Sequence, residues 1–315
     1  MPGFKVNAPA ACGYNGGMET RLTRDESLAD GVRRLLAEGL GAALGELHRP
    51  AAERDAAVHE CRKQLKVLRA LVRLARADMR ESVFDRWNTG LRDAGRALAP
   101  ARDAAAVVEC VDGLLAAPDL DPADAAALAS CRETLLERSG APAEEESSGT
   151  GIPAAKARLV ALLNGLETSP LRGRESEGKV LLEGLRASHC AARCAWKKVA
   201  ACGGVAEAHE WRKRAKDLRY QVDLLVGAWP AMCAVLESEL HRLTDALGLA
   251  NDLAAVEAAL GAGADPRVTA LLAARRDAAL AEALALGALL HGEPPRRAAA
   301  RLAGWWLANV EKERG

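Results

Sequence analysis

Residues 59–69 read HECRKQLKVLR and residues 209–219 read HEWRKRAKDLR, a match at 7 of 11 positions across 150 residues. The shared positions are His59/His209, Glu60/Glu210, Arg62/Arg212, Lys63/Lys213, Lys66/Lys216, Leu68/Leu218 and Arg69/Arg219. A long, specific match within one chain constrains the fold directly: the molecule is built twice from one unit. The repeat extends past the stripe. Leu98–Asp103 (LAPARD) stands in register with Leu247–Asp252 (LGLAND), and His59 precedes Asp103 by 44 residues where His209 precedes Asp252 by 43.

Helical geometry sorts each stripe into two faces. With His59 at zero and about 100° per residue, Arg62, Lys63, Lys66, Arg69 and Arg73 fall between about 280° and 40°. Val58, Cys61, Leu65, Leu68, Leu71, Val72 and Ala75 fill the opposite side. The second copy sorts the same way, with Ala208, Trp211, Ala215, Leu218, Val222 and Leu225 opposite His209, Arg212, Lys213, Lys216 and Arg219. Each helix therefore packs one face and presents a cationic row on the other.

The rest of the chain reads as helix too. Aromatic residues make up 3% of the 315 residues, good helix formers dominate, and strand-like alternation of β-branched residues is scarce. The spacing predicts helices over about 28–47, 52–76, 81–98 with a continuation to Leu115, and 123–138. Further helices are expected at about 154–168, 174–202, 206–227, 230–261, 266–290 and 295–312. Residues 139–153, SGAPAEEESSGTGIP, lack an apolar period and read as a linker. The expected fold is all-α: a disordered 1–24, a first four-helix unit over 25–138, the linker, and a second helical unit over 154–315.

Lys plus Arg number 43 and Asp plus Glu number 43, so overall charge steers no partner and a local excess matters. Residues 59–76 hold six cations against Glu60 alone. Arg62–Lys66, Arg69–Arg73 and Arg212–Lys216 stack like charges at (i, i+4), which costs a few tenths of a kcal/mol per pair. An ordinary solvated face mixes signs. Here negative charge must come either from neighbouring helices or from an external polyanion. Arg33 on the first helix, and Arg193 and Lys197 on the helix over 174–202, are further cations suited to line one groove.

The doubled H-x-x-R-x-x-x-K-x-L-R pattern, followed after the next helix by Arg102-Asp103 and Asn251-Asp252, resembles the CHAD family, the conserved histidine α-helical domain. The copy over 209–225, HEWRKRAKDLRYQVDLL, is the nearer match. The first copy departs from it, with Ala70 where the second has Tyr220. The resemblance covers about residues 25–310. It implies two four-helix bundles about an approximate internal twofold, and a central groove that binds inorganic polyphosphate. Carried to matching positions, it implicates His59, Arg62, Lys63, Lys66, Arg69, His209, Arg212, Lys213, Lys216 and Arg219. Arg73 continues the first row, and Arg33, Arg193 and Lys197 join as outer candidates. Inorganic polyphosphate, and through it polyphosphate granules, becomes the expected partner, with no cofactor required.

Elementary chemistry is compatible with that ligand. Polyphosphate is a linear anion with charge on every unit and no bases to read; Lys offers point charges and Arg forked donors. Each histidine is either a protonated member of that surface or a hydrogen-bonded spacer against Asp103 or Asp252. A nucleic-acid binder is the competing reading, since phosphate contacts suffice for non-specific binding. It is weakened by the shortage of stacking aromatics, with Trp211 on the apolar face and only Tyr220 nearby. A metal-dependent polyphosphate or triphosphate enzyme is the other. No E-x-E-x-K, Walker-type loop or H-E-x-x-H occurs, so no catalytic residue is expected.

Eight cysteines in this length do not suggest a disulfide scaffold, and no C-x-x-C occurs. His189, Cys190, Cys194 and Cys202 cluster without a familiar metal spacing, so no metal ligand is expected. Charges interrupt every apolar run short of a membrane span, and a cytoplasmic setting is expected.

Overall fold

The computed structural model describes residues 21–98, 103–140, 151–166, 170–261 and 263–314. Within them lie eleven α-helices. They are α1 (Leu28–Glu46), α2 (Arg54–Leu74), α3 (Glu81–Ala97), α4 (Asp103–Leu115), α5 (Pro122–Gly140) and α6 (Gly151–Asn164). Then follow α7 (Glu177–Cys202), α8 (Val205–Leu224), α9 (Pro230–Leu260), α10 (Pro266–His291) and α11 (Pro295–Arg314). The described residues contain no strand, only an isolated Met79–Leu171 bridge. The all-helical class is as the periodicity predicts.

Helix ends follow local chemistry. Ser27 caps α1 by accepting from the Asp30 amide at 3.1 Å. Asp265 caps α10 through the Arg267 amide at 2.7 Å, with Pro266 in the first turn, where a missing N–H costs nothing. Gly203 closes α7 in the left-handed region, at φ 64°.

Packing makes two closed circuits. α1 touches α2, α2 touches α3, α3 touches α6, and α6 returns to α1. α7, α8, α9 and α10 close in the same way. The first circuit is filled by the buried leucines of α1 and α2, such as Leu36, Leu40, Leu65 and Leu71, with Trp87, Leu91, Leu159 and Leu162. The second is centred on the fully buried Trp211, packed with Leu243, Leu247 and Ala283. Removing a fully buried Trp side chain costs about 3–5 kcal/mol in such a core.

This packing does not follow the division at 139–153. α6 lies beyond that segment in sequence yet fills the fourth position beside α1 and α3. α4 and α5 instead pack against α9 and α10, where Val111, Leu128, Val256 and Leu272 form a separate apolar cluster. Arg138 of α5 also donates to the Ala259 carbonyl at the end of α9, at 2.8 Å. The two repeats differ in sequence at position 100. α9 runs unbroken through the aligned Leu249, whereas α3 ends at Ala97, because proline has no amide for a continuing helix.

The expected disordered segment 1–24 is corrected at its end. Leu22 is 3% exposed and its amide donates to the Leu224 carbonyl at 3.0 Å. Residues 1–20 and 141–150 lie outside the described residues, while 139–140 and 151–153, expected as linker, are helical. The second half is anchored at its start by the buried Asp78. Its carboxylate accepts from the amides of Gly173 (2.7 Å), Arg174 (3.1 Å) and Glu175 (3.3 Å). Close by, Gly184 of α7 lies against the end of α2, where an added Cβ would sit 2.0 Å from the Leu74 carbonyl oxygen.

Candidate functional site

α2 and α8 pack against each other, joined where Gln221 Nε2 donates to the Ala70 carbonyl at 3.1 Å. Their polar faces form the floor of a cleft of about 500 Å³. α2 contributes Arg62, Lys66, Arg69 and Arg73; α8 contributes His209, Arg212, Lys213, Arg214 and Lys216; α3 adds Arg92 and Arg96. Among the described residues, ten Lys or Arg side chains line it against two acids, Glu210 and Asp217. The apolar faces assigned from helical angles are buried in both helices, from Cys61, Leu65 and Leu68 to Trp211, Ala215 and Leu218.

Part of this charge is compensated within the protein. Asp217 forms an ion pair with Arg73 across the helices, and Arg214 lies 4.0 Å from the same carboxylate. Burial pushes the Asp217 carboxyl upward even so, against the pull of Arg73, Arg214 and Arg69. Glu210 pairs with Arg214 at 2.6 Å and Lys213 at 3.5 Å. Arg62 donates to the Leu98 carbonyl at 3.0 Å and Arg212 to the Thr244 carbonyl at 3.3 Å, which fixes the two guanidiniums. Gly248 makes room for the second of these, since a Cβ there would lie 2.8 Å from Arg212 Nη2.

The central cations are under electrostatic pressure. Burial lowers the Lys216 ammonium to about 7, helped by Arg212, Lys66 and Arg219 and opposed by Asp245. Arg69 falls to about 10, through burial first and then through Arg73, with Asp217 opposing. Its Nε donates to the neutral Asn88 Oδ1 at 3.4 Å. Such a surface favours an incoming anion, which would restore the protonated lysine.

The remaining sequence-derived candidates are placed unevenly. His209 stands in the cleft wall with Nδ1 donating to Asn251 Oδ1 at 2.9 Å, so Asn251 holds the place expected of Asp252. Burial and Lys213 lower the His209 imidazole below its ordinary value. His59 is exposed and does not line the cleft, nor does Lys63, which pairs with Glu60 at 3.1 Å. Arg219 is likewise outside the lining, 3.6 Å from Glu237 and over the Tyr220 ring. Arg33 is exposed on α1, and neither Arg193 nor Lys197 of α7 reaches the cleft. Arg193 lies instead near His291, and Lys197 is exposed. The side chain of Asp103 lies outside the described residues.

Sequence reasoning missed Arg92, Arg96 and Arg214. Arg92 and Arg96 are spaced (i, i+4) on α3, a signal of the kind used for α2, with Asp93 between them. No metal centre emerges from the cysteine cluster: His189 is buried while Cys190, Cys194 and Cys202 are exposed. Among the described residues no group of three or more His, Cys, Asp or Glu is placed to hold an ion. Nor is any described helix long and apolar enough to cross a membrane.

An all-helical chain whose two copies of one His/Arg/Lys helix meet at a shared cleft defines a narrow class. The CHAD domain family model matches residues 34–261, more than half of the chain and including both copies, and the protein belongs to that family. Comparison with curated proteins found no match.

Proposed function

We propose that the cleft between α2 and α8 binds inorganic polyphosphate, as a binding module rather than an enzyme. The two circuits of helices are read as copies of one unit about an approximate twofold, and the setting as cytoplasmic. The observation that carries this reading is the meeting of ten cations with two acids among the described residues of one cleft, with Lys216 lowered to about 7 by burial and then by Arg212 and by Lys66 of the other helix. A linear polyanion brings negative charge to both rows at once. Forked guanidiniums of Arg62, Arg69 and Arg212 suit phosphate oxygens, and the rigid helices hold them in place before the ligand arrives.

The test is titration of the whole protein with long-chain polyphosphate, short oligophosphate, RNA and duplex DNA, each at two salt concentrations. Long polyphosphate is expected to bind tightest, with affinity falling steeply with salt. Reversing Lys66→Glu and Lys216→Glu together is expected to abolish binding. Equal affinity for RNA, or indifference to the double reversal, would overturn the proposal. Orthophosphate release with Mg²⁺ would move the protein to the enzymes.

A further inference from the structure

The two edges of the cleft are unlike, although the repeat makes them counterparts. α2 and α8 correspond at an interval of 150 residues, and α3 and α9 at 149, as Leu98 and Leu247 align. Contacts between these helices obey the same register. Arg69 donates to Asn88 at 3.4 Å, and its counterpart Arg219 lies 3.6 Å from Glu237, the counterpart of Asn88. Extending that register along the helix pairs Arg92 with His241 and Arg96 with Asp245.

Those paired positions carry opposite chemistry. Arg92 and Arg96 line the cleft, and the acid nearest them, Asp93, is shared: 2.8 Å from Arg92 and 3.9 Å from Arg96. On α9, His241 Nδ1 is held by Asp245 at 2.8 Å, and Glu237 adds a second carboxylate beside Arg219. No α9 residue lines the cleft. The field of Asp245 nevertheless reaches the floor, where it favours the charged form of Lys216.

We propose that the bound polyanion lies off-centre, continuing from the α2–α8 floor out over α3 along Arg92 and Arg96, and ending at α9, where Asp245 and Glu237 repel it. This rests on the reading of the cleft as a polyanion site and adds a direction to it. Of two ends that the repeat would make alike, one is an exit and the other a stop. A chain longer than the floor therefore gains further contacts on the α3 side only. Arg92 and Arg96 are the residues that let the protein prefer long chains to short ones.

The test compares Arg92→Gln/Arg96→Gln with Asp245→Asn in the full chain, using long-chain and short oligophosphate across a salt series. Loss of two phosphate contacts is expected to lower the slope of log affinity against log salt by about two for the long chain, and to weaken that chain about tenfold or more. Short oligophosphate, seated on the floor, should change less than threefold. Asp245→Asn should leave long-chain affinity unchanged or raise it. An unchanged long-chain slope in the α3 variant would overturn the proposal, as would equal losses for long and short chains, or a loss in Asp245→Asn matching that of the α3 variant. Lys66→Glu/Lys216→Glu separates the two levels. If that double reversal abolishes binding and the α3 variant does not matter, only the direction fails; if wild-type protein ignores polyphosphate, the binding reading fails and the direction with it.

Discussion

α2 and α8 carry nearly the same stripe, yet they meet different surroundings. Lys66 is exposed, while its counterpart Lys216 is buried enough to be lowered to about 7. Arg69 meets a neutral amide, and Arg219 a carboxylate. His59 is exposed, whereas His209 is pinned by Asn251 in the cleft wall. Asp217 reaches across from α8 to Arg73, but its counterpart on α2 is Val67, so no matching tether returns. The stripe thus recurs as one charge pattern with two sets of neighbours: both rows line the same cleft, but on α8 Lys216 is pressed toward neutrality and Asp217 ties across to the other helix.

The largest test of that inequality is Asp217→Ala. Its carboxylate faces Arg73, Arg214 and Arg69 together, and removing half of a largely buried pair costs about 3 kcal/mol. Urea denaturation should show this loss, and added polyphosphate should restore much of it by supplying the charge. Wild-type stability in that variant would mean the tether does not hold the helices together.

The pH response sharpens the comparison further. Lys216 is lowered in the free fold, so above about pH 7 a bound anion must draw a proton back onto it. Affinity should therefore fall by up to tenfold per pH unit between about 7 and the ordinary lysine range near 10. Stability moves the other way. The unfolded chain holds that proton more tightly, so over the same window the free protein should become more stable as pH rises. Titration calorimetry and denaturation across this range should diverge, and Lys216→Met should remove both trends.

A third pair of variants asks which arginine faces the ligand. Arg69→Gln is expected to weaken polyphosphate binding about tenfold, one charge-assisted contact's worth. Arg219→Gln, already engaged with Glu237, should change it less than threefold. Equal effects would restore the symmetry that the surroundings removed. The last effect is on stability alone: Lys216→Met relieves the burial of an ammonium and its repulsion from Arg212, Lys66 and Arg219, and should stabilise the free protein at pH 7.

Much of the molecule is legible in the chain. Helical spacing placed most helix boundaries within a few residues, and the angular sorting of α2 and α8 agrees with the buried and exposed faces. The repeat located seven of the cleft's residues, from Arg62 to Lys216. Periodicity failed where packing partners are exchanged. Nothing local to 151–164 says that this helix completes the circuit of α1 and α3, while α4 and α5 join α9 and α10. Arg33, Arg193 and Lys197 were plausible because they are cations, but the faces of α1 and α7 that carry them do not open into the cleft.

The sequence by itself determined the helical class, the recurrence of the stripe and the existence of two like-charged rows, because each is a matter of residue type and spacing along one helix. Tertiary structure alone decided that the rows share one cleft, that α3 joins it and α9 does not, and which lysine is forced toward neutrality. Those outcomes depend on distance and desolvation between segments some 150 residues apart in the chain, and local periodicity carries no information about either.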